Sequence, residues 1–141
     1  GLIEDGDVLL THENSSTVMA TLEHALKDGV SFDLYVTESR PRFLGRRTVR
    51  QLADRDGVDP TLIVDSAAGS YMEECDRVFV GMNCLIEETV YNRVVFENEY
   101  RSAPEVLLEP ADGFEVANPA YDATPTRLVD TVVTDEGVTD Y

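Results

Sequence analysis

The architecture of this chain follows from one segment, Asp7-Val8-Leu9-Leu10-Thr11-His12-Glu13-Asn14-Ser15-Ser16-Thr17. The apolar run near its start predicts a buried parallel strand, and the helical spacing of Val18, Leu22 and Leu26 predicts a helix directly after it. The residues able to cap this helix are Asn14, Ser15 and Ser16. The segment therefore indicates a strand that turns at once into a helix.

The polar turn between this strand and this helix is a candidate anion site. In an open α/β sheet, ligands bind outside the carboxyl ends of the strands, where a helix N-terminus presents N–H groups and its positive dipole end. The residues that would lie there are Thr11, His12, Asn14, Ser15 and Ser16. In the simpler interpretation, which this segment alone favours, these groups only cap the helix.

The first half of the chain repeats this pattern of strand and helix. The predicted strands cover residues 32–36, 61–64 and 77–84, a helix covers 45–56, and a short helix ends near residue 75. Gly29 and Gly57 end the two longer helices. Alternating units of this size predict an α/β fold, a parallel sheet with helices on both faces, joined by right-handed crossovers.

The pattern fails beyond residue 86. Val94-Val95-Phe96 follows without the crossover helix that another parallel strand requires, and residues 104–121 are irregular. Thr124-Pro125 then suits a helix start, and apolar residues follow at 128, 129, 132 and 133. We therefore predict a final helix that Gly137 ends.

Length and composition favour one globular domain. The chain has 141 residues, of which 43% are hydrophobic. It contains no run of 18 apolar residues and no charged-then-apolar leader, so we expect a soluble cytoplasmic protein without a membrane span. Cys75 and Cys84 are the only cysteines, which favours reduced thiols over a disulfide or a metal site. We expect no cofactor.

The chain is strongly acidic. It has 28 acidic and 11 basic residues, a net charge of −17, and Lys27 is its single lysine. Such a surface is typical of a halophilic source, because concentrated salt screens the repulsion among carboxylates. Direct binding to nucleic acid is correspondingly disfavoured.

This charge predicts a salt-dependent stability. We expect the melting temperature to rise as potassium chloride is raised from low to molar concentration, since screening weakens the repulsion in the folded state. Thermal unfolding followed by circular dichroism across a salt series measures this. A melting temperature that is flat or falls with salt contradicts the halophilic interpretation.

Six of the ten arginines lie within 16 positions. They are Arg40, Arg42, Arg46, Arg47, Arg50 and Arg55. A local cationic patch on an anionic protein is a candidate phosphate or carboxylate site. The alternative is a set of ion pairs, for example with Glu38 or Asp65.

Four segments of the chain carry a family resemblance. They occur in the order Asp7-Val8-Leu9-Leu10-Thr11-His12-Glu13-Asn14-Ser15-Ser16, Tyr35-Val36-Thr37-Glu38-Ser39-Arg40-Pro41-Arg42-Phe43-Leu44-Gly45-Arg46, Thr61-Leu62-Ile63-Val64-Asp65-Ser66 and Asn118-Pro119-Ala120-Tyr121-Asp122-Ala123-Thr124-Pro125. Together they resemble the family of translation initiation factor 2B alpha, beta and delta subunits, in a haloarchaeal-like member. That family also contains ribose-1,5-bisphosphate isomerase and methylthioribose-1-phosphate isomerase.

The resemblance implies a domain organisation and an oligomer. Residues 1–141 would be the family's Rossmann-like carboxy-terminal domain, without the helical amino-terminal domain that normally precedes it. That domain dimerises in the family and commonly builds larger assemblies, so the resemblance implies a homodimer or a higher homo-oligomer. Phe114, Pro119 and Tyr121 supply apolar surface for such an interface.

Three departures from the family bear on chemistry. The isomerases carry a catalytic cysteine where this chain has Glu13, and a catalytic aspartate where it has Asn83. Glu13 can still move a proton, but an amide cannot act as a general base. After Asn92-Arg93, further candidates for ligand binding, the family has a helix and a strand that this sequence lacks, which predicts residues missing between 93 and 94.

These departures favour a non-catalytic domain similar to the initiation factor 2B regulatory subunits. It would sense a sugar phosphate or nucleotide, or bind a partner such as an initiation factor 2 subunit. The alternative is a sugar-phosphate aldose-ketose isomerase acting on ribose 1,5-bisphosphate or methylthioribose 1-phosphate. A nucleotide-dependent dehydrogenase is disfavoured because no GxGxxG follows any predicted strand.

Overall fold

The computed structural model describes residues 1–83, 98–109 and 112–140. The chain divides into two compact units, Gly1–Asn83 and Cys84–Tyr141, and each is described by itself. Four features of the sequence lie outside the described residues: Cys84, the pair Asn92-Arg93, the predicted gap after it, and Val94-Val95-Phe96. The prediction of a single domain over 1–141 stays a prediction.

The first unit is a parallel sheet with three helices. Its elements are β1 (Val8–His12), α1 (Ser16–Lys27), β2 (Phe32–Thr37), α2 (Gly45–Leu52), β3 (Val58–Ile63), α3 (Ala68–Met72) and β4 (Arg77–Phe79), with a 3-10 turn at Asp65–Ala67 before α3. The strands lie in the order β3-β2-β1-β4, and each neighbouring pair is parallel. The predicted α/β fold is confirmed.

Helix α1 begins and ends where its sequence indicates. The Ser15 hydroxyl accepts a hydrogen bond from the Val18 amide, so Ser15 is the N-cap among the three candidates. Gly29 follows the helix with a φ of 81°, a left-handed conformation that glycine adopts without strain. The chain can therefore reverse within a few residues and begin β2.

Helices α1 and α2 cover one face of the sheet. Leu9, Leu34 and Val36 point to this face from β1 and β2 and are completely or almost completely buried. The helical residues that complete the core are Val18, Leu22, Ala25 and Leu52. Each large side chain in this layer contributes about 1.5–3 kcal/mol by leaving water.

Helix α3 lies on the opposite face. Tyr35 lies next to Leu34 on β2 and points the other way, and its ring centroid is 4.6 Å from that of Tyr71 on α3. Helices therefore cover both faces, as predicted.

Three element ends differ from the predictions. Strand β3 begins at Val58 rather than at residue 61, because Val58 pairs with Phe32 and the Phe32 amide donates to the carbonyl of Gly57. This pairing also ends α2 at Leu52 rather than at 56, since the chain needs the residues between for the turn. Strand β4 ends at Phe79 rather than at 84.

The predicted final helix is wrong. Residues 124–140 form a 3-10 turn, Thr126–Leu128, and an antiparallel hairpin of β5 (Thr131–Thr134) and β6 (Gly137–Asp140). Thr131-Val132-Val133-Thr134 is wholly β-branched, which disfavours a helix and suits a strand. Gly137, with a φ of 140°, closes the hairpin turn instead of ending a helix.

Within residues 98–109 and 112–123, an antiparallel bridge and side-chain hydrogen bonds join the two segments. Tyr100 bridges to Pro119, and the Arg101 amide donates to the carbonyl of Asn118. Asn118 is buried, and its side-chain amide donates to the carbonyl of Ser102.

None of the helices within the described ranges is long and apolar enough to cross a membrane.

Candidate functional site

Polar turns meet where β1, β2 and β3 end. His12, Thr37 and Ile63 are register partners across the three strands, so the strands end level with one another. The residues that follow are a turn at 13–15, a longer turn at 38–44 and the 3-10 turn at Asp65–Ala67. This carboxyl edge is where ligands bind in parallel sheets.

Asp65 joins the turns after β2 and β3. Its two carboxylate oxygens accept hydrogen bonds from the amides of Ser39 and Arg40, each at 2.7 Å. Hydrogen bonds to an ionised acceptor are roughly twice as strong as neutral ones. The carboxylate therefore fixes the backbone from which Ser39 and Arg40 project.

Ser39 in turn joins the turns after β1 and β2. Its hydroxyl oxygen accepts the Glu13 amide at 2.7 Å, and the Thr48 hydroxyl on α2 donates to the Glu13 carbonyl at 2.7 Å. Glu13, Ser39 and Phe43 all have positive φ, between 57° and 67°. Such backbone strain, about 1–3 kcal/mol for each residue, clusters at functional sites.

His12 lies at this edge with its two ring nitrogens in different surroundings. Nδ1 is 2.5 Å from the Thr37 hydroxyl oxygen and 3.3 Å from that of Ser39, and both of these residues are buried. Nε2 is 4.0 Å from a carboxylate oxygen of Glu13, and nearly half of the His12 side chain is exposed. One side of the ring is thus anchored, and the other faces the open edge.

The arginines surround Phe43. The guanidinium carbons of Arg40 and Arg46 lie 5.3 and 3.9 Å from the centre of its ring. Arg46 also pairs with the nearly buried carboxylate of Glu38 at 2.9 Å, the ion-pair alternative raised by the sequence. Arg40 and Arg42 are exposed.

Several predicted ligand residues have structural partners. The Asn14 amide donates to Thr48 and to Gln51 on α2, each at 2.9 Å, and Ser15 caps α1. The Thr11 hydroxyl donates to the Phe79 carbonyl on β4 at 2.8 Å. Of the predicted residues, the ones that present exposed surface at or near this edge are His12, Ser16, Arg40, Arg42 and Arg46.

The turn after β4 approaches the first turn. A Cβ atom on Gly81 would lie 2.6 Å from the side chain of Ser15, so the two backbones pass closely. Asn83 is exposed two residues further on, beyond the strand that neighbours β1. Glu13 and Asn83 therefore follow adjacent strands. Asn92 and Arg93 lie outside the described residues.

Cys75 does not replace the missing cysteine. Its thiol donates to the carbonyl of Tyr71, at the amino end of β4 and away from the carboxyl edge. Burial raises the pKa of the Cys75 thiol, and the carboxylates of Glu74 and Asp76 raise it further. A protonated thiol is a poor nucleophile.

Among the described residues, no three His, Cys, Asp or Glu side chains are grouped to hold a metal ion.

Sequence reasoning did not identify Thr37, Ser39 and Thr48 as part of the site. Their contacts join positions 25 to 35 residues apart in the chain. The sequence pointed to Asp65 only by its place directly after a predicted strand, a short distance along the chain from the arginine-rich segment.

The described first unit is a parallel α/β domain with strained, hydrogen-bonded turns at its carboxyl edge, the edge at which such folds commonly bind ligands. Residues 1–98 match the model of the initiation factor 2 subunit family. The chain belongs to that family.

Individual relatives are more informative about chemistry. The chain is 33% identical to ribose 1,5-bisphosphate isomerase of Haloterrigena turkmenica, over 96% of this chain and 55% of the relative. It is 30% identical to the enzyme of the same name from Methanocaldococcus jannaschii, over 96% of this chain and 56% of the relative. The chain thus spans about half the length of the curated relatives it matches.

A solved structure supports the fold. The crystal structure of translation initiation factor eIF-2B subunit delta from A. fulgidus is similar over 99% of this chain and 55% of that one, with a TM-score of 0.82 and 26% identity.

The favoured expectation of a non-catalytic regulatory domain is wrong. Relatives at 30–33% identity over nearly the whole chain are named as isomerases. Their similarity supports the alternative, a sugar-phosphate isomerase.

Proposed function

We propose that this chain forms the carboxyl-edge active site of an aldose-ketose isomerase that converts ribose 1,5-bisphosphate into its 2-ketose isomer. The similarity to two ribose 1,5-bisphosphate isomerases over 96% of the chain carries this proposal. The geometry agrees with it, because the strained turns and the arginines lie at the edge where a parallel sheet binds its ligand.

Three features of this edge suit a phosphorylated sugar. The N-terminus of α1 offers backbone amides at Ser16, and the side chains of Arg40 and Arg42 are exposed. Asp65 holds the backbone of Arg40, so this guanidinium projects from a fixed point. We assign Arg40 to a phosphate of the substrate.

The assay uses the full-length gene product in molar salt with ribose 1,5-bisphosphate. Replacing Arg40 with alanine is expected to raise KM about tenfold or more, because a charge-assisted hydrogen bond to phosphate is worth about 1.5–3 kcal/mol. The matched control is Arg55→Ala, which removes an arginine beyond the end of α2, away from the carboxyl edge, where it pairs with Glu23 on α1, and should leave KM unchanged.

Absence of turnover in the unmodified protein contradicts the proposed function. If both proteins turn over and Arg40→Ala has the same KM as the unmodified protein, Arg40 does not bind the phosphate. Self-association as a homodimer, binding of an initiation factor 2 subunit and the halophilic character stay predictions.

A further inference from the structure

The isomerase chemistry needs proton-transferring groups, and two positions identified by family resemblance lack their usual side chains. Glu13 and Asn83 stand in for a cysteine and an aspartate, and an amide cannot act as a base. Because Asn83 cannot replace the aspartate as a base, another group at the same edge must take that role. His12 is the candidate, because its ring is anchored on one side and open on the other.

Donors and acceptors around the ring can be assigned consistently, starting from Ser39. The Ser39 hydroxyl donates to the Thr37 carbonyl at 3.1 Å, and a carbonyl can only accept. The Ser39 oxygen accepts the Glu13 amide and keeps one lone pair for the Thr37 hydroxyl, 3.3 Å away. If Thr37 donates to Ser39, its own oxygen accepts from the Nδ1–H of His12.

This arrangement satisfies both buried hydroxyls and places the ring proton on Nδ1, whereas with the proton on Nε2 the Thr37 hydroxyl would donate to Nδ1 instead. The tautomer of a histidine follows from the hydrogen bond that its other nitrogen makes. With the proton on Nδ1, the Nε2 atom carries a lone pair at the exposed side of the ring. A carboxylate only accepts hydrogen bonds, and that of Glu13 lies 4.0 Å away, so Glu13 does not occupy that lone pair.

We propose that His12 Nε2 is the base that carries the proton between C1 and C2 of the substrate, and that Thr37 and Ser39 are positioning residues that hold its tautomer. This inference rests on the proposed isomerase function. Glu13 has a separate role: its carboxylate stabilises the imidazolium that forms once Nε2 has taken a proton.

The proton balance closes without an oxidant or a reductant. A proton from solvent adds to the ring oxygen, and the bond between that oxygen and C1 breaks. His12 Nε2 then removes the proton from C2, and the electrons of that C–H bond form a C1–C2 double bond. Return of the proton to C1 and loss of the O2 proton to solvent give the 2-ketose. Two protons are gained, at the ring oxygen and C1, and two are lost, from C2 and O2.

The tautomer is tested by nitrogen-15 NMR of the imidazole in the full-length gene product. We expect the proton on Nδ1 in the unmodified protein and in Thr37→Ser, which keeps the hydroxyl. Thr37→Val should shift the ring towards the Nε2–H form, because the nearer acceptor for Nδ1–H is lost and only the Ser39 hydroxyl, at 3.3 Å, remains. An Nε2–H ring in the unmodified protein overturns the proposed role of Thr37 and Ser39.

The catalytic role is tested by His12→Gln, assayed on ribose 1,5-bisphosphate. We expect kcat to fall about 100-fold or more with KM little changed, since general base catalysis contributes about that factor. The matched control is His24→Gln, which removes the exposed histidine on α1 that pairs with Asp28. Thr37→Val should lower kcat about tenfold, and Thr37→Ser should restore it.

The outcomes separate the two proposals. If the unmodified protein turns over and the kcat of His12→Gln lies within about threefold of its kcat, the role of His12 is overturned. The isomerase function then still stands. No turnover by the unmodified protein overturns the isomerase function itself, and with it the role of His12 as base, whatever tautomer is observed.

Discussion

Replacing Gly45 with alanine is expected to lower the free energy of unfolding of the first unit by about 3 kcal/mol or more. An added Cβ would lie 1.8 Å from the carbonyl oxygen of Thr37 and 2.8 Å from its carbonyl carbon. These are backbone atoms at the end of β2, so no side chain can move aside. Overpacking of this kind typically costs 1–3 kcal/mol, and a contact this short puts the cost at or above the upper end.

The control for this prediction is Gly69→Ala. Gly69 lies inside α3, and an added Cβ there would meet nothing within 4 Å. Alanine is the better helix former, so we expect a gain of about 0.5–1 kcal/mol. Urea denaturation of both variants in molar salt gives the comparison. A Gly45→Ala protein as stable as the unmodified one contradicts the close packing of α2 on β2.

A hydrogen bond made by the same glycine explains why α2 begins where it does. The Gly45 amide donates to the Glu38 carbonyl, which ties the start of α2 to the end of β2 across a turn of seven residues. In that turn, Ser39 and Phe43 have strained backbones. Close approach, strain and the carboxylate of Asp65 together hold Arg40 at the carboxyl edge.

The parallel sheet was predictable because its signals are local. The apolar run of β1, the cap at Ser15 and the glycines that follow the helices all act within a few residues. The hairpin at 131–140 was missed because apolar residues at 128, 129, 132 and 133 fit a helical face as well as a strand. The β-branched composition of Thr131–Thr134 resolves that ambiguity.

The site was predicted only in part because its contacts are not local. The sequence indicated that His12 and the arginines lie near an anion site, but not that Thr37 and Ser39 hold the His12 ring. Glu13 and Asn83 favoured a non-catalytic regulatory domain, and the similarity to proteins named as isomerases contradicts that preference. The absence of two expected side chains excludes one set of catalytic groups and leaves others possible.

Replacing Asp65 with alanine is expected to lower the free energy of unfolding by about 2–4 kcal/mol. Its carboxylate accepts two backbone hydrogen bonds of 2.7 Å, and such bonds to a charged acceptor contribute about 1.5–3 kcal/mol each. The Ser39 amide is the costlier of the two to leave unpaired, since Ser39 is buried, whereas the exposed Arg40 can be hydrated. Asp65→Asn keeps one acceptor oxygen and should lose about half as much.

The stability loss should be accompanied by weaker binding, because Asp65 fixes the turn that carries Arg40. We expect Asp65→Ala to raise KM for ribose 1,5-bisphosphate by a factor similar to that for Arg40→Ala, about tenfold. The matched control is the exposed Asp54 after α2, where alanine should change stability by less than about 0.5 kcal/mol. Urea denaturation and steady-state kinetics in molar salt measure both effects. If Asp65→Ala lowers stability but leaves KM unchanged, Asp65 only stabilises the fold and Arg40 reaches the substrate without it.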